Sequence, residues 1–443
     1  MSRSDPATDV AADPLASRRL VLQVLDAVLR RAQPLEDTLA RHAAFAALDA
    51  RDRGFVRLLL ATVLRRLGEV DAVLAACLEK GLPETARMVV DTLRIGVAQL
   101  LFLDTPAHAA VDTSVRLVAG TPQDRFKGVV NGVLRRVARE GASLRADAAD
   151  AARLNTPAWL WQSWTAAYGA AAAQAVAAQH LCEAPLDFSL RDPATAASWA
   201  AQLGADILPG GTLRRAAGGR IEDLPGYADG TWWVQDAAAA LPARLLGDVA
   251  GRAVVDLCAA PGGKTLQLLA MGAQVTAVDI SARRLARLAD NLRRAQLTAE
   301  LVTADAARWQ PTAAADAVLL DAPCSATGTL RRHPDIARTK GPADVARLAA
   351  VQDRLLAAAA GLLRPGGLLV YAVCSLQPEE GPQRVAAALH AGVPLETVPI
   401  APDELPGLAD AVGPAGDVRT LPSFWAAQGG MDGFYVARLR RRG

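Results

Sequence analysis

From about residue 246 onward the chain alternates short apolar runs with stretches of helical period, and this alternation constrains the fold more than any other feature. Val254-Val255-Asp256-Leu257-Cys258, Val275-Thr276-Ala277-Val278-Asp279, Ala317-Val318-Leu319-Leu320 and Leu368-Leu369-Val370 read as strands. Strands that alternate with amphipathic helices pair in parallel, so the pattern predicts a doubly wound α/β sheet. Strands are expected at 253–258, 274–280, 300–305, 317–322, 367–374, 395–399 and 433–439, with helices at 264–271, 281–295, 344–363 and 379–390. Leu395-Glu396-Thr397-Val398 and Phe434-Tyr435-Val436-Ala437 form a late strand pair. In such a sheet ligands bind outside the carboxyl ends of the strands.

The chain before this region reads as three further pieces. Residues 1–15 are expected as a flexible tail. From 16 to 140 apolar residues recur at helical spacing, as in Leu20, Val21, Val24, Leu25 and Val28, which predicts an all-α domain of five to seven helices. From 141 to 245 the pattern is mixed and predicts a small α+β domain. It holds a tryptophan-bearing helix from Pro157 to Tyr168, a strand from Pro185 to Arg191 and a helix from Ala194 to Leu203. The α/β domain then spans 246–443.

A chain of 443 residues is long enough for several domains. Its net charge of +2 excludes a generally basic coat and leaves room for a local basic face. The five cysteines are widely spaced, with no Cys-x-x-Cys pair, which argues against a disulfide framework or a zinc site. No metal is expected, and a reducing cytoplasm suits the cysteines. Met1-Ser2-Arg3-Ser4-Asp5-Pro6 leads into no apolar signal core, and no apolar run of about 20 residues suggests a membrane span. A soluble cytoplasmic monomer is expected.

Between the first strand and its helix lies Cys258-Ala259-Ala260-Pro261-Gly262-Gly263-Lys264-Thr265. Glycines here let the backbone approach a ligand, and the helix N-terminus offers free N–H groups. A phosphate-cradling P-loop needs glycine six positions before Lys264, where Cys258 stands, and a G-x-G-x-x-G fingerprint is absent. An S-adenosylmethionine (SAM) pocket remains, which requires acidic partners for the ribose and the methionine amine. Asp279 is placed to accept the ribose hydroxyls, each such charge-assisted bond being worth roughly 1.5–3 kcal/mol. Asp305 suits the adenine amino group, and Asp321 ends the fourth strand. Any one of these carboxylates alone is better read as a cap of the following helix or turn. Three in register beside Gly262-Gly263 favour a ligand site.

Two further cysteines end apolar runs: Cys324 in Asp321-Ala322-Pro323-Cys324-Ser325, and Cys374 in Tyr371-Ala372-Val373-Cys374-Ser375. A thiolate is a potent nucleophile once nearby cations or helix N-termini lower its pKa from about 8.5. Cys77 and Cys182 read instead as inert, and Cys258 as a pocket wall contributing backbone.

At these residues the chain resembles the Sun/Fmu family of RNA (cytosine-5) methyltransferases. The segments that carry the resemblance are Cys258 to Thr265, Val278-Asp279, Asp321 to Gly328 with Arg331-Arg332-His333-Pro334-Asp335, Tyr371 to Glu380, and Asp432-Gly433-Phe434. The resemblance implies a SAM-dependent enzyme of the class I methyltransferase fold. In this family a cysteine thiolate adds to carbon 6 of cytosine, carbon 5 takes the methyl group, and loss of the C5 proton with elimination of the thiolate releases the product. It implies that Cys374 is the nucleophile and that Cys324 assists release; Asp321, at its strand end, is placed to hydrogen-bond the cytosine ring edge. It implies SAM contacts at Cys258, Ala259, Ala260, Pro261, Gly262, Gly263, Lys264, Asp279, Asp305 and Asp321. Asp52-Arg53-Gly54-Phe55-Val56, Pro106-Ala107-His108-Ala109-Ala110-Val111 and Val130-Asn131-Gly132-Val133-Leu134-Arg135-Arg136 resemble a NusB-like RNA-binding domain, which points to 16S rRNA as the partner. Ala372-Val373 departs from the Ser-Thr often found before the nucleophilic cysteine, and Leu190-Arg191-Asp192 departs from the family's Arg-x-Asn.

Three basic segments are candidates for tracking phosphates. Residues 121–145 hold six Lys/Arg against two Asp/Glu, 331–340 hold four against one, and Arg438, Arg440, Arg441 and Arg442 lie near the C-terminus. The target base must be unstacked to reach a strand-end cysteine. Trp232 and Trp233 read either as base-stacking or as core residues. Two rival readings stay open: the same chemistry on tRNA or another rRNA site, and a non-catalytic RNA-binding assembly factor.

Overall fold

The computed structural model describes residues 15–78 and 80–443 and divides into two compact units. The expected tail at 1–15 lies outside the described residues except for Leu15. One unit comprises residues up to Pro157 together with 333–339, and the other comprises 158–332 and 340–443. The expected domain limit at 140 falls inside a helix, and the helical unit continues to Pro157.

The helical unit contains α1 (Ala16–Arg31), α2 (Leu35–Arg41), α3 (Ala43–Ala47), α4 (Ala50–Arg65), α5 (Leu67–Cys77), α6 (Arg87–Phe102), α7 (Ala107–Val118), α8 (Lys127–Leu144) and α9 (Ala148–Asn155). Eight of these lie before residue 145, against the five to seven expected, because the stretch after Pro34 breaks into two short helices. Local chemistry sets the boundaries. The Asp49 carboxylate caps α4 by accepting the Asp52 amide at 2.7 Å, and Asp147 caps α9 by accepting the amides of Ala149 and Asp150. The helices α6, α7 and α8 pack on one another around Leu93, Val97, Val118, Val130 and Leu134. Residues 333–339 return to this unit as a single helical turn, Ile336–Thr339. There the Asp335 carboxylate accepts the Leu35 amide at 3.0 Å, and Arg338 donates to the Asn155 carbonyl at 3.0 Å.

The second unit opens with α10 (Ala158–Tyr168) and α11 (Ala170–His180), followed by β1 (Leu186–Leu190), α12 (Ala196–Leu203), β2 (Asp206–Ile207), β3 (Leu213–Arg215) and β4 (Trp232–Val234). The four strands form an antiparallel sheet of order β2-β3-β1-β4, built on Phe188, Leu203, Leu213 and Trp232. Trp232 and Trp233 are both buried, so of the two readings of these residues the core reading holds.

The larger sheet contains β5 (Ala253–Leu257), β6 (Gln274–Asp279), β7 (Glu300–Thr303), β8 (Ala315–Asp321), β9 (Leu363–Val373), β10 (Leu395–Thr397), β11 (Val418–Arg419) and β12 (Tyr435–Arg441). Its order is β10-β12-β9-β8-β5-β6-β7, with β11 added on β12. The pairs β7-β6, β6-β5, β5-β8 and β8-β9 are parallel, while β12 runs antiparallel to β9 and β10. Helices α13 (Leu241–Arg244), α14 (Gly263–Ala270), α15 (Ala282–Ala295), α16 (Pro342–Leu362) and α17 (Pro382–His390) accompany it. Alternate residues of the central strands serve two cores. Val254, Leu319 and Val370 enter one cluster, whereas Val255, Val318, Leu320 and Tyr371 enter the other. Both faces are thus covered, as a mostly parallel sheet requires. Helix α15 shows how the pattern writes the fold: Leu285, Leu288, Leu292 and Ala295 are buried at helical spacing, and Ser281 caps the start.

The strand order reverses direction between β5 and β8. β6 and β7 extend to one side and β9 to the other, which places a crevice at the carboxyl ends of β5 and β8. Among the described residues no helix is long and apolar enough to cross a membrane.

Candidate active site

The turn after β5 is held by its neighbours. Cys258 adopts a left-handed backbone conformation with φ 61°, and Gly262 one with φ 107°. A Cβ at Gly262 would lie 2.0 Å from the Leu288 side chain, so both conformation and space call for glycine there. The Ala259 amide donates to the Val278 carbonyl at 3.1 Å and the Ala260 amide to the Asp279 carboxylate at 3.2 Å. Asn291 donates to the Pro261 carbonyl, and Arg284 to that of Ala260. These residues therefore wall the crevice, and their amides are already engaged. The Cys258 thiol is pushed up to about 12, first by burial and then by the carboxylates of Asp321, Asp279 and Asp256. It is no reactive thiolate.

Carboxylates line the strand ends. Asp279 closes β6, is almost fully buried and also accepts the Ser281 amide at 2.9 Å. Asp305 lies two residues beyond the end of β7, half-exposed, and accepts the Ala307 amide. Asp321 closes β8 and binds the Lys264 ammonium at 2.6 Å. Burial opposes the charge on Lys264, but Asp321 outweighs it and holds the ammonium above its usual range. Asp256, inside β5, is buried and accepts the Thr265 hydroxyl at 2.6 Å, while its other oxygen has no partner. Burial raises its carboxyl to about 7.

This donor set tests the expected ligand. A phosphate would meet carboxylates, and Lys264 is already paired with Asp321. An amine, a sulfonium and neutral ribose hydroxyls instead meet groups that attract or accept them. The residues fit SAM, and Asp279, Asp305 and Asp321 are the strand-end carboxylates that could meet its polar groups.

The structure brings Cys324 and Cys374 together, their sulfurs 3.4 Å apart and both partly exposed. Cys324 follows β8 and Cys374 follows β9, so adjacent parallel strands deliver both thiols to the same end of the sheet. The hydrogen bond to Cys374, then burial and the Glu380 carboxylate, push the Cys324 thiol well up. Lys264 and Arg332, by contrast, interact electrostatically with Cys374. Gly328 ties the two loops together: its amide donates to the Cys374 carbonyl at 3.0 Å, and its carbonyl accepts the Gly433 amide at 2.8 Å. A Cβ at Gly328 would lie 1.9 Å from the Gly433 oxygen.

Beneath the thiols lies a buried polar network that sequence reading missed. Glu380 accepts the Ser325 amide at 2.8 Å, the Ser325 hydroxyl at 2.5 Å, the Ser375 hydroxyl at 2.6 Å and the Gln352 amide group at 3.3 Å. Thr327 accepts the Leu376 amide, and Trp164 donates to Gln377. The signal in the sequence was Ser following both cysteines, with Glu380 six residues beyond Cys374.

The basic segment 331–340 does not serve as expected. Arg331 is fully buried, 2.9 Å from Asp236 and 3.4 Å from Asp432, and Arg332 binds the same Asp432. These guanidiniums neutralise buried carboxylates, so they are not free to track phosphates. Arg338 is engaged with Asn155. Near the C-terminus Arg438 pairs with Glu404, and Arg441 donates to the Leu363 carbonyl. Within 121–145, Lys127 pairs with Asp124 and Arg136 with Glu140, in exposed contacts that leave the cations accessible.

A doubly wound sheet with an acidic crevice at its switch point and two strand-end thiols defines the class: a SAM-dependent RNA methyltransferase. Residues 243–440 match the 16S rRNA methyltransferase RsmB/F family and residues 15–139 the NusB family. The chain is 34% identical to ribosomal RNA small subunit methyltransferase B of Klebsiella pneumoniae, over 96% of this chain and 98% of that protein. It is 36% identical to the protein of the same name from Pseudomonas putida, over 88% of this chain and 91% of the relative. The chain belongs to the RsmB/F family of 16S rRNA methyltransferases, with a NusB-family domain before the catalytic part. Among solved structures, that of PH0851 shares its fold with a TM-score of 0.73 and 20% identity, covering 97% of this chain and 99% of the other. NSun6 from Pyrococcus horikoshii with SFG has a TM-score of 0.53 and 19% identity, covering 65% of this chain and 98% of the other.

Proposed function

We propose that this protein methylates carbon 5 of a cytosine in 16S rRNA through a covalent adduct between Cys374 and carbon 6 of the base. The observation that carries the reading is the 3.4 Å pairing of two strand-end thiols in unlike electrostatic surroundings. Cations act on Cys374 and an acidic group acts on Cys324. Cys324 is the thiol whose ionisation is opposed, which leaves Cys374 as the nucleophile.

Addition of the Cys374 thiolate to carbon 6 raises electron density at carbon 5. SAM, when bound, supplies the electrophilic methyl group. Asp279, Asp305 and Asp321 hold its polar groups, with Cys258 to Lys264 as the wall of the site. Asp321 also reaches the cytosine ring edge, and its pairing with Lys264 fixes the carboxylate there. Cys324, whose raised pKa makes its thiolate a strong base, takes the proton from carbon 5 as the C5–C6 double bond re-forms and the C6–S bond breaks, releasing Cys374 as thiolate. The matching family, described as 16S rRNA methyltransferases, and the small-subunit rRNA in the relatives' names support 16S rRNA as substrate, and the NusB-family domain suits an RNA partner.

The test is transfer of labelled methyl from SAM to unmodified 16S rRNA and to unmodified tRNA, followed by digestion to nucleosides. Label in 5-methylcytidine from the rRNA alone is expected; label in tRNA alone discards the substrate assignment. Cys374→Ala should abolish transfer while RNA binding persists. Cys324→Ala should accumulate a covalent protein–RNA adduct on a denaturing gel, and its absence would remove the release role.

A further inference from the structure

Glu380 is the hub on which both thiol-bearing loops rest. It sits in the turn two residues before α17, wholly buried, and the Tyr371 hydroxyl donates to its carbonyl at 2.5 Å. Its Oε1 accepts the backbone amide of Ser325, the residue after Cys324. Its Oε2 accepts the hydroxyls of Ser325 and Ser375, the residues after the two cysteines, and these hydroxyls also lie 3.1 Å from each other. One carboxylate therefore bridges the carboxyl ends of β8 and β9 immediately below the sulfurs. Burial raises its carboxyl above the usual range, and the four donors that converge on it oppose that shift.

We propose that Glu380 is the positioning residue of the two-thiol site, setting the separation of Cys324 and Cys374 through Ser325 and Ser375 and placing a buried carboxylate beside Cys324. The proposal rests on the two-cysteine reading above. The carboxylate grips the Cys324 loop by two bonds and the Cys374 loop by one, so two chemically identical thiols are held unequally. Charged and titratable groups around the pair include Lys264 of α14, Arg332, Tyr371 of β9, and Arg419, which donates to the Ser375 carbonyl. Tyr371 interacts with both Cys324 and Glu380, and burial pushes its hydroxyl well up.

The test uses the full chain with 16S rRNA and labelled SAM, comparing wild type, Glu380→Gln, the double variant Ser325→Ala/Ser375→Ala, and Cys374→Ala. Methyl transfer and covalent adduct are followed between about pH 6 and 9. Glu380→Gln keeps the shape and removes the charge. Its kcat is expected to fall about 100-fold, with KM for RNA changed less than about twofold. The pH at which the adduct resolves is expected to move about one unit lower, since Cys324 loses its acidic neighbour. The serine double variant keeps the carboxylate, so its kcat should fall while the pH profile moves less than in Glu380→Gln. A merely structural glutamate would lower activity equally at every pH, and that result overturns the proposal, as does a Glu380→Gln enzyme with wild-type kcat. If Glu380→Gln does not fold, a wild-type rate in the serine double variant overturns the proposal, and a lowered kcat with unchanged KM upholds it. If Cys374→Ala still forms the product, the two-cysteine reading fails and this proposal with it. If Cys374→Ala is inactive while Glu380→Gln is normal, only the role of Glu380 falls.

Discussion

Asp256 sits at the centre of the parallel sheet with one oxygen bonded to Thr265 and the other unpartnered. Burial raises its carboxyl from 3.8 to about 7 in the folded protein. The folded state therefore holds a proton that the unfolded chain releases near pH 4. A raised folded pKa means that this contribution to stability is complete below about pH 4 and is lost as pH climbs through about 7. A shift of that size corresponds to roughly 4 kcal/mol at most. Asp256→Asn lacks this titration, so its stability relative to wild type should improve between about pH 5 and pH 8. Denaturant melts at the two pH values check this, and an equal difference at both would refute it. Asp279, Asp305 and Asp321 were visible in the sequence because each stands at or just beyond a strand end. Asp256 and Glu380 were not singled out, because nothing local marks a buried carboxylate until its partners are brought in from elsewhere in the chain.

Strands and helices of the catalytic part were legible because their periods differ. The predicted 274–280 and 281–295 correspond to β6 and α15 within a residue or so. The strand expected at 367–374 begins four residues earlier as β9, across Pro365-Gly366-Gly367, where turn chemistry in the sequence argued for a break. Helix α11 was missed because its run of alanines shows no apolar stripe. The arginines after Cys324 show the limit of charge reading: a run of cations looks the same whether it meets phosphate or buried aspartate. Removing Arg331 leaves Asp236 and Asp432 buried with less compensation, so Arg331→Met should cost about 3–5 kcal/mol in a thermal or denaturant melt. The salt dependence of RNA binding should keep its slope, whereas loss of a phosphate contact would reduce it by about one. In the small antiparallel sheet, the fork of Arg214 on Asp187, at 2.7 Å for both bonds, follows the same buried pairing.

Across the whole molecule the most consequential feature is the path of the chain at 333–339, which leaves the catalytic unit and completes the helical one. Asp335→Ala deprives the buried Leu35 amide of its acceptor, at a cost of about 1–3 kcal/mol. Hydrogen exchange at Leu35 should accelerate in that variant, while amides in β5 and β8 keep their protection. Equal loss of protection in both units would show that they unfold as one. No sequence pattern announced this excursion, since seven residues carry too short a period to be assigned to a distant neighbour. The arrangement bears on how the protein is made. Chains are built from the N-terminus, and domains ordinarily finish folding in that order. Here the first unit waits for a segment that leaves the ribosome only after strands β5 to β8 have been synthesised. The N-terminal unit is begun first and finished late, so a nascent chain stopped before residue 333 carries an incomplete helical unit however long it is given to fold.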